Sequence, residues 1–125
     1  MPDTHDSVAK VVQTYYDILK RGKDSSELGS LRAVLHPDLA FEGPIAGHRV
    51  GAESFIRGVS GFVETMRSME FLHQLSAGDM AATLYDAELP GGTVRFAEFF
   101  QVDRGKIKSL RLLYDATEYR ARGGR

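Results

Sequence analysis

The feature that most constrains this chain is a change of period at Arg67. Before it, apolar residues recur every three or four positions, as on one face of an α-helix. After it they alternate with polar residues, as on one face of a β-strand. Val8, Val11, Val12, Tyr15, Ile18 and Leu19 define a first helix. Asp6 and Ser7 are placed to cap its free N–H groups, and Lys20 and Arg21 suit its C-terminal end. A second helix, over 26–35, puts Leu28, Leu31 and Leu35 on one side. It stops at His36-Pro37, because the residue before a proline is driven out of the α region. Residues 39–43 read as a short strand ending at Pro44. A glycine-containing loop follows, and then a third helix over 52–66 that carries Phe55, Ile56, Val59, Phe62 and Val63.

Four strands are predicted beyond Arg67, at about 67–76, 80–89, 93–103 and 106–116. The turns between them, Ala77-Gly78-Asp79, Pro90-Gly91-Gly92 and Asp103-Arg104-Gly105, hold residues that accept positive φ or preset the turn. Helices gathered in the first half and hairpin strands in the second make an α+β domain with an antiparallel meander. At 125 residues the chain reads as one domain with room for a real core, and 119–125, basic and glycine-containing, as a flexible tail.

Composition removes whole classes of chemistry. Sixteen Lys+Arg against seventeen Asp+Glu give a formal charge of -1, so no whole-domain field draws the chain to nucleic acid or an anionic membrane. With no cysteine there is no disulfide, thiol nucleophile or cysteine metal site. No apolar run approaches the roughly 18 to 20 residues of a membrane span, and the first residues have neither a basic n-region nor an apolar h-region. The expectation is a soluble cytoplasmic protein. His5, His36, His48 and His73 are scattered over different elements, so no metal is expected, and no phosphate-binding loop or nucleophile elbow occurs.

Alternation splits each strand into two faces, and two faces carry a residue that does not belong. Glu98 shares a side with Val94, Phe96, Phe100 and Val102. A carboxyl there must be protonated, hydrogen-bonded or beside a water-filled cavity, and burial by Phe96 and Phe100 should raise its pKa. It is either a structural buried acid or a functional one. His73 likewise stands with Met69, Phe71 and Leu75, as a satisfied core histidine or as a base near neutral pH. Tyr15 lies in the stripe of the first helix, where its hydroxyl either reaches an edge or donates into a cavity; Tyr16, one position round, reads as peripheral. The last strand is apolar on both sides, which suggests a core on one and a subunit interface on the other.

Three segments carry a resemblance over roughly residues 8 to 118: VVQTYYDIL in the first helix, LAFEGPIAGHRVGAESF between the first strand and third helix, and VRFAEFFQVDRGKIKSLRLLYD at the end. Together they resemble the nuclear transport factor 2-like superfamily, which includes SnoaL-like proteins and ketosteroid isomerases. The resemblance implies a curved antiparallel sheet wrapped into a cone around a pocket, closed by the three helices of the first half. It also implies a cofactor-independent site and a homodimer formed through the outer sheet face. Its apolar wall would draw on Phe41, Gly43, Phe55, Phe71, Phe96 and Phe100. Tyr15 falls where steroid isomerases keep a tyrosine that donates to the oxyanion, and Glu98 where they keep a protonated acid as second donor, here one methylene longer. Their general-base Asp corresponds to Gly43. The epoxide hydrolase branch fits less well, since Ala97 and Leu112 stand where it needs acids.

Two functions are therefore expected from one pocket. The first is an isomerase, cyclase or dehydratase-like lyase acting on an apolar carbonyl compound. In it Tyr15 and Glu98 stabilise the enolate oxygen, and a base comes from His73, Asp86 or Glu42. The second is a non-catalytic module that binds an apolar ligand or dimerises, with Tyr15 and Glu98 satisfying each other.

Overall fold

A computed structural model of the chain describes residues 4–21 and 25–125. The first helix, α1, runs Thr4–Arg21 and buries Val8, Val12, Tyr15, Tyr16, Ile18 and Leu19. Asp6 and Ser7 lie inside its first turns, and their side chains fall outside the described residues. The expected second helix divides into α2 (Ser25–Leu28) and a 3₁₀ turn (Gly29–Ala33). Leu28, Leu31 and Val34 are all buried, and that spacing of three matches the tighter 3₁₀ period. β1 (Leu35–Gly43) pairs antiparallel with β2 (Gly47–Val50), and α3 (Ala52–Thr65) follows. Every residue of β2 is exposed, so this edge strand shows no alternation and the sequence reads it as loop.

The meander consists of β3 (Ser68–Ala77), β4 (Met80–Leu89), β5 (Gly92–Asp103) and β6 (Lys106–Leu113). At its last turn Arg104 and Gly105 both have positive φ, 52° and 79°, the primed geometry that suits a tight hairpin. The strands form one open, curved sheet in the order β2-β1-β6-β5-β4-β3. β1 joins β6 in parallel, the one departure from antiparallel pairing among the described strands. Its register slips between Leu35 and Ala40, across Pro37, which has no N–H to give the ladder. A last helix, α4 (Ala116–Ala121), takes the place of the end of the expected fourth meander strand and the start of the expected tail.

The concave side of the sheet holds the core. Ala81, Thr83, Tyr85, Ala87 and Leu89 from β4 alternate inward with Val94, Phe96, Glu98, Phe100 and Val102 from β5, all of them buried. α1 lies across β3 to β6 and α3 covers β1 and β2. No helix among the described residues is long and apolar enough to cross a membrane.

Candidate functional site

The site begins with a consequence of helix geometry. Tyr15 and Tyr16 are adjacent on α1, about 100° apart round its axis. Both fall within the broad face that α1 lays on the sheet, so both rings enter the core, with centroids 5.0 Å apart and edge to face. Opposite them β5 presents Glu98, 1% exposed. The Tyr15 hydroxyl donates to Glu98 Oε2 at 3.0 Å and the Tyr16 hydroxyl to Oε1 at 2.7 Å. Tyr85, inward-facing on β4, stands beside the same carboxyl, as does Thr83, its cross-strand partner. Phe100 packs edge-on against both α1 tyrosines.

Burial dominates the titration of this cluster. Loss of water pushes the Glu98 carboxyl up to about 7, against the pull of the phenol hydrogen bonds, which favour the ionised form. The same burial, reinforced by the neighbouring carboxylate, holds the Tyr15, Tyr16 and Tyr85 hydroxyls well above the usual phenol range. Near neutral pH the cluster is thus poised between a carboxylate that accepts from two phenols and a neutral acid that can itself donate.

On the other side of Tyr15 lies a cavity of about 520 Å³. Its inner wall is Tyr15, Leu19, Phe55, Tyr85, Phe96 and Leu110, all buried; its mouth is formed by Ile45, Ala46, Arg49, Arg57 and Gly58, all exposed. Phe41 and Gly43 of β1, and Phe62 of α3, complete the apolar lining. Phe96 stacks on Tyr85 at 5.2 Å and meets Phe62 edge-on at 5.3 Å. Glu98 does not line the cavity; it stands one side chain behind the surface and faces it through Tyr15.

The expected site residues separate accordingly. Tyr15 and Glu98 are joined directly, and Phe41, Gly43, Phe55 and Phe96 line the cavity. Phe71 and Phe100 pack against Tyr16 instead and do not reach it. His73 sits on the convex face. The β3–β4 register shifts between Phe71 and His73, so one extra residue at Leu72 reverses the alternation and sets His73 opposite the outward-facing Leu84. Asp86 is also outside the cavity, held by two nitrogens of the Arg95 guanidinium, Nε at 2.8 Å and Nη2 at 3.0 Å, a pairing that lowers its carboxyl below its ordinary value. Glu42 contributes to the mouth, but its carboxylate is paired with Arg111 at 3.0 Å. No group of three or more His, Asp or Glu side chains among the described residues is arranged to hold a metal ion.

Three contributors were not anticipated. Tyr16 is completely buried rather than peripheral, because the face α1 buries is broad enough to take both tyrosines. Tyr85 was legible as an inward position of β4 but carried no mark distinguishing it from core. Tyr119, placed by sequence in a flexible tail, is buried in α4 and lines the cavity beside Tyr114. Its ring lies 5.2 Å from that of Tyr114 and 6.1 Å from that of Phe96.

A half-open α+β cone with an aromatic cavity under its helices is an architecture shared with known proteins. The SnoaL-like domain family matches residues 12–110, and the chain belongs to that family, within the nuclear transport factor 2-like superfamily. No curated protein matches the sequence. Among solved structures, a protein from Kribbella flavida is 24% identical, with 90% of this chain and 89% of that one covered and a TM-score of 0.78. A protein assigned as a SnoaL-like polyketide cyclase from Jannaschia is 12% identical over 98% of this chain and 94% of its own, with a TM-score of 0.79. A steroid delta-isomerase from Pseudomonas aeruginosa is 18% identical over 90% and 82%, with a TM-score of 0.74. At these identities the likeness is one of fold.

Proposed function

We propose that the protein binds a small apolar carbonyl compound in this cavity and polarises its carbonyl oxygen for isomerisation, cyclisation or dehydration. The observation that carries this is the buried Tyr15–Glu98–Tyr16 cluster at the cavity wall. An ionised Glu98 engages both phenol protons. When it takes up a proton it donates to one of the two phenol oxygens. Donation to Tyr15 releases that hydroxyl to donate into the cavity. A carbonyl oxygen there would receive a hydrogen bond that strengthens as negative charge develops on it, in surroundings with little water. Tyr15 is then the catalytic donor, and Glu98 and Tyr16 position it.

The α-proton must go to a base. Glu42 borders the cavity mouth, but it alternates with the inward-facing Phe41, and its carboxylate pairs with its register partner Arg111 on the convex side of β1, so it is not placed to take that proton. This favours, as a second reading, a pocket that binds the same class of ligand without turning it over; Gly43 at the end of β1 supports it. In either reading we place a second copy of the chain against the convex sheet face.

Phenols imitate an enolate oxygen and serve as probes. Wild type should bind naphthol, Tyr15→Phe should bind it about tenfold more weakly, as expected for one lost hydrogen bond to a charged oxygen, and deuterium should enter the α-position of a bound cyclohexenone. Binding without exchange selects the second reading, and equal naphthol affinity for wild type and Tyr15→Phe removes the first.

A further inference from the structure

The mouth of the cavity has a charge that its interior does not. Arg49 and Arg57 both line it. Arg49 lies on β2 directly across from Phe41, and cross-strand partners share a sheet face, so its side chain leaves from the cavity side. Its Nε donates to the Ala46 carbonyl at 3.0 Å, which anchors the base of the guanidinium to the β1–β2 turn and leaves its two terminal nitrogens free of any hydrogen bond among the described residues. Arg57 projects from α3 between Phe55 and Gly58, which line the cavity with it.

Neither arginine has an acid within salt-bridge distance among the described residues; the hydrogen bonds of Glu53 go to Arg32, which lowers its carboxyl, and Arg57 lies near enough for its charge to help. Glu53, one turn before Arg57, is gripped by Arg32 through two contacts of 2.7 Å; Glu42 is paired with Arg111, and Glu64 with Arg125 at 3.5 Å. In a chain of net charge -1, two guanidinium groups with no salt-bridge partner among the described residues therefore face the entrance of a largely apolar, aromatic space. A guanidinium presents paired donors that match a carboxylate, and it binds best where the surroundings hold little water.

We infer that the ligand is an amphipathic oxo acid, whose apolar body fills the aromatic cavity while its carboxylate is held at the mouth by Arg49 and Arg57. This rests on the reading of the cavity as a carbonyl-binding site. It adds a polarity to that site: the carbonyl goes in first, towards Tyr15, and the acid stays at the entrance.

A matched set of probes tests it: naphthol, a hydroxynaphthoic acid with its acid on the ring remote from the hydroxyl, and the methyl ester of that acid. Affinities are measured by fluorescence for wild type, Arg49→Gln/Arg57→Gln and Tyr15→Phe. Wild type should prefer the acid to its ester by about tenfold, the worth of one charge-assisted hydrogen-bond pair. That preference should fall towards unity in the double arginine variant and in 0.5 M salt, where a partly exposed charge pair is screened over roughly a few ångströms. It should persist in Tyr15→Phe, although every probe binds more weakly there. Equal affinity for acid and ester in wild type overturns the inference, as does a preference that survives loss of both arginines. If naphthol still binds and still responds to Tyr15→Phe in that case, the carbonyl-site reading stands without the acid. Failure of all three probes to bind removes both.

Discussion

A carboxyl buried among phenols makes stability depend on pH in the opposite sense to a salt-bridged one. In the unfolded chain Glu98 titrates near the free value of about 4.3; in the fold burial raises it to about 7. Between those values the native state holds the proton and the unfolded state does not. The contribution of this residue is therefore greatest below about pH 4 and declines as pH rises through 7, by on the order of 3 kcal/mol. Glu98→Gln keeps the shape and removes the titration, so the melting temperature of wild type relative to the variant should fall from pH 5 to pH 8. Parallel curves would refute a raised Glu98. Tyr16→Phe takes away the hydrogen bond to Oε1, which favours the ionised form. It should cost about 1–3 kcal/mol at pH 8, where the bared oxygen is charged, and move the carbon-NMR titration of the Glu98 carboxyl still higher. Much of this cluster was legible. Glu98 was conspicuous on an apolar strand face, and the i to i+3 and i+4 spacings of α1 brought Tyr15 to the core. Its closeness to Tyr16 was not, since a helical stripe has no sharp edge and Tyr16 lies at its margin.

At the scale of the element, single residues decide what a strand or helix presents to the cavity. Gly43 ends β1 on the cavity wall, and a Cβ added there would meet nothing closer than Leu112 Cβ at 3.9 Å. Gly43→Asp should therefore fold normally and place a carboxylate where the cavity has no free one. If the Tyr15 donor is in position, deuterium exchange into bound cyclohexenone should rise by at least about tenfold, the low end for a placed general base. An unchanged rate in a folded variant would show that the wall and the donor do not address the same atom. α4 depends on a different glycine. A Cβ on Gly91 would come within 2.9 Å of Arg122 Cα, and the Gly91 N–H donates to the Arg122 carbonyl at 2.8 Å. Gly91→Ala should loosen α4 and its Tyr119, seen as faster amide exchange over 116–123 while β4 and β5 stay protected. The bulge at Leu72 has the same character: one inserted residue, invisible as a pattern, moved His73 from the predicted inner face to the outer one.

At the scale of the whole molecule the convex face is the unfinished part. Register carries one row across it from Leu75 through Ala82 to Phe99, and another from His73 through Leu84 and Ala97 to Leu113. Leu75, Phe99 and Leu113 are exposed, large and apolar, in a sheet whose other face is closed. Contiguous apolar surface of this kind is uncommon on a monomer. Sedimentation should report a dimer for wild type and a monomer for Phe99→Glu with its melting profile retained at high concentration. A wild-type monomer at all concentrations would leave this face to some other partner.

What the sequence determined by itself is periodic and local. Apolar spacing defined α1, α3 and the four meander strands, the Asp103-Arg104-Gly105 turn set the last hairpin, and a lone acid on an aromatic face marked Glu98. Segment order alone restricted the chain to α+β, and the segments carrying the resemblance pointed to its family. What tertiary structure decided is everything that depends on distant partners. β2 is a strand only because β1 lies beside it, and β1 meets β6 in parallel across some seventy residues of chain. Tyr119 is core rather than tail because Phe96 and Tyr114 are there to receive it. The charge of the cavity mouth likewise emerges only when each neighbouring acid is seen to have an arginine, leaving Arg49 and Arg57 over. Periodicity records which way a side chain faces within its own element; what waits there is settled by the packing of the others.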